Sequence, residues 1–118
     1  MGFVMSVLVS LPLLLAGVSP AIAGPAEEAK SLMADRCVVC HGDNGDGKGP
    51  SASSLNPQPK DFHNRKWQRS VSDETLAKAI VSGGPAIGLS ASMPGNPDLA
   101  DKPDVVAAMV KQIRAWGK

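Results

Sequence analysis

Two cysteines and a histidine lie within the five-residue sequence CVVCH, which contains Cys37, Cys40 and His41. This spacing predicts covalent attachment of a haem, because each thiol can form a thioether with a vinyl group of the porphyrin and the following imidazole can bind the iron. A redox-active disulfide, a zinc site and a pair of buried thiols are the alternatives. A thioredoxin-like disulfide needs a βαβ pattern that this sequence does not show, and a zinc site needs further ligands, for which only His63 is available. The motif therefore favours haem.

The N-terminal segment has the pattern of an export signal. Residues 3–23 are almost continuously apolar and end in the small-x-small sequence AIA, which is typical of a signal-peptidase site. We therefore predict a signal peptide over residues 1–23, a single mature domain over residues 24–118 and a periplasmic location. No Lys or Arg precedes the apolar run, and the run is about as long as the roughly 20 residues of a membrane span. An uncleaved membrane anchor is the alternative.

The composition allows only a thin protein core. After residue 23 the chain has no Tyr, and its aromatic residues are Phe62, Trp67 and Trp116. A small domain buries a smaller share of its surface than a large one, so we expect a haem to supply apolar mass and folding to depend on it. The chain has 12 basic and 11 acidic residues and a formal net charge of +1, which gives no support for binding to nucleic acid.

Periodic apolar residues predict three helices. The first begins near Pro25 and runs into the CVVCH motif. The second follows the N-cap residue Ser72 and ends at Gly83. The third is capped by Asp101 and carries an apolar stripe that ends at Trp116.

The segments between these helices indicate the fold class. Residues 42–59 are rich in Gly, Pro, Ser and Asn and are predicted to be irregular. No segment shows the alternation that is typical of a strand. We therefore predict an all-α fold of three or four short helices, wrapped with loops around one haem.

Several motifs occur in an informative order. They are CVVCH, the loop GDNGDGKGP, the pair Met93-Pro94 and a last helix with an aromatic residue near its end. In these features residues 25–118 resemble a small bacterial class I cytochrome c. The resemblance implies the class I cytochrome c fold and one covalently bound haem c. Where that family has a glycine and an aromatic residue in the first helix, this chain has Ala29 and Met33.

The resemblance also implies roles for five residues around the haem. Cys37 and Cys40 would form the thioethers, and His41 would be the proximal ligand of the iron. The backbone carbonyl of Pro50 would accept a hydrogen bond from the N–H of the His41 ring that points away from the iron, which fixes the tautomer. Met93 would be the distal ligand, because a soft thioether favours ferrous iron.

Other correspondences are weaker. Leu55 would pack on the haem, and the indole N–H of Trp67 would reach a haem propionate, although Trp67 also fits a half-buried core aromatic. His63 is the rival distal ligand. Met33 and Met109 fall on the apolar stripes of helices and are expected in the core.

An iron bound by His and Met has no open position for a substrate. We therefore predict that the protein is not an enzyme and that it carries single electrons between redox protein partners. Two alternatives are a haem enzyme or gas sensor with an open sixth position, and a haem subunit of a membrane redox complex. A basic cluster is either a solvated surface or a site for neutralising propionates or docking an acidic redox partner. It consists of Lys60, Arg65, Lys66 and Arg69.

Overall fold

Helices form the regular structure of this protein. The computed structural model describes residues 1–2, 17 and 21–118. In this part of the chain it contains no strand and five α-helices, which are α1 (Pro25–Arg36), α2 (Val38–His41), α3 (Arg65–Ser70), α4 (Asp73–Ser82) and α5 (Pro103–Trp116). Short 3-10 helices cover Ala52–Ser54, Gly84–Ile87 and Pro97–Leu99. The all-α prediction is confirmed for the described residues, with more helices than the three or four expected.

The N-terminal segment is described only in part. The predicted signal peptide, residues 1–23, lies mostly outside the described residues. The first helix begins at Pro25, next to the predicted start of the mature domain at residue 24. Among the helices that the structure describes, none has the length and apolar character needed to cross a membrane.

A break at Cys37 separates the first helix from the haem motif. α1 ends at Arg36 and α2 covers only the next few residues, whereas the sequence predicts one continuous helix. The backbone stays close to helical at the break. The amide of Cys37 donates to the carbonyl of Met33 (2.9 Å), and its carbonyl accepts from the amide of His41 (2.9 Å). Cys37, Cys40 and His41 therefore share one helical turn.

The capping predictions are right for α4 and wrong for α5. Ser72 caps α4, since its hydroxyl oxygen accepts a hydrogen bond from a first-turn amide (3.1 Å). α4 ends before Gly83, whose φ of +85° favours glycine. At α5 the N-cap residue is Lys102 and not Asp101, and its side chain makes no capping hydrogen bond. Pro103 is the first helical residue, a position where its missing N–H costs nothing.

Helix α3 is not predicted from the sequence, and its six residues depend on contacts with α5. Asn64 caps this helix by accepting a hydrogen bond from the amide of Trp67 (3.0 Å). The Arg114 guanidinium donates to the side-chain oxygen of Gln68 (2.9 Å), and the Gln68 amide group donates to the carbonyl of Ile113 (2.8 Å). α3 is thus stabilised by residues more than forty positions away.

The core lies between α1, α4 and α5. Both α1 and α4 pack on α5. Met33 is 6% exposed and Met109 is 1% exposed, so the prediction that these methionines lie in the core is confirmed. Ala29 is 3% exposed, and α1 packs on α5 although the glycine of the resembled family is replaced. Phe62 joins the core from the segment before α3.

Candidate haem site

The two thiols lie on the turn that Cys37 forms with α2. Both cysteines are free and half-buried. Burial raises the pKa of the Cys37 thiol, and the positive charge of Arg36 opposes that shift. Because neither sulfur is in a disulfide, both are available for thioether bonds.

His41 follows Cys40 directly, and its ring contacts the segment before α3. The ring nitrogen Nδ1 lies 3.3 Å from the carbonyl oxygen of Lys60. Since a carbonyl only accepts, Nδ1 carries the proton and donates it, which leaves the lone pair on Nε2. Burial lowers the pKa of His41, while the bond to Lys60 opposes this shift. The neutral imidazole with a free Nε2 is the form that binds a metal.

In this structure the His41 ring nitrogen contacts the carbonyl of Lys60 and not that of Pro50. The role of Pro50 beside a bound haem stays a prediction. Pro50 is exposed and lies in the loop after α2. The amides of the residues on either side of it donate to carbonyls of α2 (2.9 and 3.0 Å). The loop at Pro50 therefore provides hydrogen-bond donors for the carbonyls of α2. The carbonyl that contacts the His41 ring comes from Lys60, ten residues later.

Met93 lies half-buried in the loop between α4 and α5. Its carbonyl accepts a hydrogen bond from the amide of Gly84 (3.0 Å). The amide of Asn96 donates to the carbonyl of Val81 (2.9 Å) at the end of α4. Gly95 comes so close to α4 that a Cβ atom there would lie 2.7 Å from the Val81 oxygen. The backbone of the Met93 loop is therefore hydrogen-bonded to the C-terminal end of α4 and to the residues that follow it, both at Met93 and three residues later.

Arg36 connects the haem-motif turn with the Met93 loop. Its guanidinium donates to the side-chain oxygen of Asn96 (3.2 Å) and to both carboxylate oxygens of Asp98 (3.0 Å each). Arg36 immediately precedes Cys37, and Asn96 lies three residues after Met93. The two predicted halves of the site thus belong to segments that are 60 residues apart in sequence and in direct contact.

The helical architecture and the CVVCH turn agree with a comparison against protein families. The family model described as Cytochrome c matches residues 26–113. This chain belongs to the cytochrome c family. With the helices of the described residues, membership establishes the class I cytochrome c fold and covalently attached haem c as the cofactor. No curated protein matches this cytochrome.

The residues of the CVVCH turn fit a haem c. This cytochrome presents two free thiols on one helical turn, followed by an imidazole whose Nε2 is unprotonated. The turn does not make a zinc site with other residues. Within the ranges 1–2, 17 and 21–118, no three His, Cys, Asp or Glu side chains form a group that could hold a metal ion.

The remaining predicted residues have clear structural environments. His63 Nε2 lies 2.7 Å from the carbonyl oxygen of Asn44 and donates a hydrogen bond to it. This bond holds the His63 ring against the Gly-rich loop. Trp67 packs against the core of the cytochrome. Its ring centroid lies 5.4 Å from that of Phe62, and the two ring planes are at 30°. Leu55 is half-buried at the end of a 3-10 helix. Haem contacts of Trp67 and Leu55 remain predictions.

The contacts of Lys60 and Phe62 with His41 are not predicted from the sequence. The Lys60 contact uses a backbone carbonyl, for which a sequence carries no residue-specific signal. Phe62 stacks on the His41 ring, with ring centroids 4.6 Å apart and planes at 15°. The sequence singles out Phe62 only as the one phenylalanine of residues 24–118.

Proposed function

We propose that this cytochrome carries single electrons between redox proteins, through a haem iron bound by His41 and Met93. Cys37 and Cys40 form the thioethers that attach the haem. When bound, the haem supplies an iron that alternates between ferric and ferrous states and so exchanges one electron. The observation that carries the proposal is the hydrogen bond of His41 Nδ1 to the Lys60 carbonyl, because it prepares Nε2 as an iron ligand.

The two proposed ligands have different effects on the iron. The Lys60 carbonyl accepts a hydrogen bond from Nδ1–H of His41, which makes Nε2 more basic and a stronger ligand for iron. The thioether of Met93 is soft and favours ferrous iron, which raises the reduction potential relative to a second histidine. Backbone hydrogen bonds to Gly84 and Val81 keep the Met93 loop in place, so little of the chain has to move when the charge changes.

Ligation by both residues would leave no coordination position for a substrate, and for this reason we propose a carrier and not an enzyme. We also propose that residues 1–23 direct export to the periplasm and that residues 24–118 form the mature domain. The small-x-small sequence at the end of the apolar segment supports cleavage. Contacts with redox partners are expected to be small and short-lived, because a carrier has to dissociate after each transfer.

An optical spectrum of the purified ferric protein tests the ligand assignment. The methionine-to-iron charge-transfer band is expected in the parent protein at neutral pH and should be lost in Met93→Ala. The matched control is Met33→Leu, which replaces a methionine that is 6% exposed in the core and should keep the band.

Carbon monoxide provides a second measurement on the same proteins. Ferrous Met93→Ala should bind it rapidly, whereas the parent and Met33→Leu should not. A parent protein without the band, or rapid binding of carbon monoxide by the parent, would contradict the proposal and favour a haem enzyme or sensor.

A further inference from the structure

The segment 60–62 contacts the His41 ring at two places. The Lys60 carbonyl oxygen lies 3.3 Å from Nδ1, at the edge of the ring. The Phe62 ring is stacked on its face, with centroids 4.6 Å apart and an interplanar angle of 15°. A hydrogen bond at the edge restricts the direction in which the ring points, and a stacked neighbour restricts rotation of its plane. Residues 60–62 therefore contact both the edge and the face of the imidazole, and these two contacts together define its orientation.

Phe62 is itself fixed by residues other than His41. Its amide donates to the carbonyl of Gly45 (2.8 Å), and its carbonyl accepts from the side chain of Gln68 (2.8 Å). The Phe62 ring also stacks with Trp116, with centroids 5.7 Å apart and planes at 9°. Phe62 is 6% exposed. Because these contacts restrain Phe62 independently, its ring can impose an orientation on His41.

Burial alone does not account for the geometry of this contact. Another apolar side chain of similar volume, such as leucine, would also fill this part of the core, but it has no ring to stack on the imidazole. Phe62 instead presents a nearly parallel ring to the imidazole, at a separation that aromatic pairs prefer. The same three-residue segment supplies the Nδ1 acceptor.

We propose that Phe62 is a positioning residue for His41, and that with the Lys60 carbonyl it fixes the plane and the Nδ1–H bond of the imidazole. This inference rests on the proposed function, in which His41 binds the haem iron. Loss of the Phe62 ring should allow the imidazole to rotate and its Nδ1–H bond to open more often.

NMR of the ferrous, haem-loaded protein tests this inference. In the parent protein we expect nuclear Overhauser effects from the His41 Nδ1 proton to the backbone protons of Lys60 and Asp61, and from the His41 ring to the Phe62 ring. The Nδ1 proton should exchange slowly with solvent. In Phe62→Leu the exchange should be at least about tenfold faster, because local opening becomes easier. The matched control is Ile80→Val, a conservative change at a core residue of α4 that is 7% exposed, which should leave the exchange rate within about twofold.

The outcomes separate this inference from the proposed function. Ring C–H signals of His41 that are shifted upfield by the haem establish ligation independently of the Nδ1 proton. If these signals are present but the Nδ1 proton contacts Pro50, or exchange in Phe62→Leu equals that of the control, the positioning role is overturned and the ligand assignment stands. If the upfield signals are missing, the proposed function fails. The parent measurements of both contacts decide the question even if Phe62→Leu does not fold.

Discussion

Alanine at position 95 tests whether the Met93 loop depends on its close contact with α4. Gly95 does not have a positive φ, so alanine adds no left-handed strain. Its Cβ atom would lie 2.7 Å from the carbonyl oxygen of Val81 and 2.8 Å from the carbonyl carbon of Ser82. Both are backbone atoms that cannot rotate away. Ordinary contact begins at 3.4 Å, so the loop has to move by about 0.7 Å.

The hydrogen bonds between the loop and α4 set the size of the effect. Movement of Gly95 lengthens the bond from the Asn96 amide to Val81 (2.9 Å) and the bond from the Asn96 side chain to Ile80 (2.7 Å). Each such bond contributes about 0.5–1.5 kcal/mol, so loss of both costs about 1–3 kcal/mol. A free energy of that size shifts an equilibrium by about 5- to 150-fold, here the one between Met93-bound and Met93-free iron.

The assay is a titration of the ferric protein with imidazole, which competes with Met93 for the iron. The apparent affinity for imidazole should rise about 5- to 150-fold in Gly95→Ala. The control is Gly88→Ala, where φ is +74° and a Cβ would have nothing within 4 Å. It should lower stability by about 1–2 kcal/mol through backbone strain and leave imidazole affinity nearly unchanged. If Gly95→Ala and Gly88→Ala lose equal thermal stability and bind imidazole with equal affinity, the close contact at Gly95 does not control the Met93 loop.

Two further substitutions test contacts elsewhere in the domain. Arg36→Met removes the bonds to Asn96 and Asp98; because these side chains are partly exposed (39% and 56% for Arg36 and Asp98), thermal unfolding should show a loss of only about 0–1 kcal/mol that shrinks in high salt. A loss that does not depend on salt would show that charge is not the cause. Leu99→Ala removes a core side chain that is 1% exposed and should cost about 2–5 kcal/mol in urea-induced unfolding of the haem-loaded protein. A loss below about 1 kcal/mol would mean that the core around Leu99 collapses to fill the space.

Features with a local cause could be predicted from the sequence. Ser72 caps α4 through an amide three residues away, and Gly83 ends α4 with a positive φ. The spacing of CVVCH predicts a haem c, and the match to the cytochrome c family confirms this cofactor. The roles of the individual thiols and of the imidazole stay predictions. These signals are readable because cause and effect lie within one helical turn.

Features that depend on distant residues could not be predicted. α3 is short and depends on bonds between Gln68 and residues of α5. The acceptor for His41 is a backbone carbonyl, and every residue of the Pro-rich segment has one, so the resemblance indicated Pro50 where the structure has Lys60. The assignment of Met93 to the iron remains a prediction, because it depends on the bound haem.

The two sides of the proposed iron site are built differently, and this explains why Phe62→Leu and Gly95→Ala are expected to differ. All three aromatic residues of the described domain gather on the His41 side, where Phe62 stacks on His41 and contacts both tryptophans. This cluster is continuous with the core, so disturbing it lowers the free energy of unfolding of the whole domain. The Met93 loop is instead attached through backbone hydrogen bonds and close glycine contacts, which can open locally while the core stays folded. A change in the loop is therefore expected to alter the sixth ligand first, whereas a change behind His41 alters the ligand geometry and the stability together.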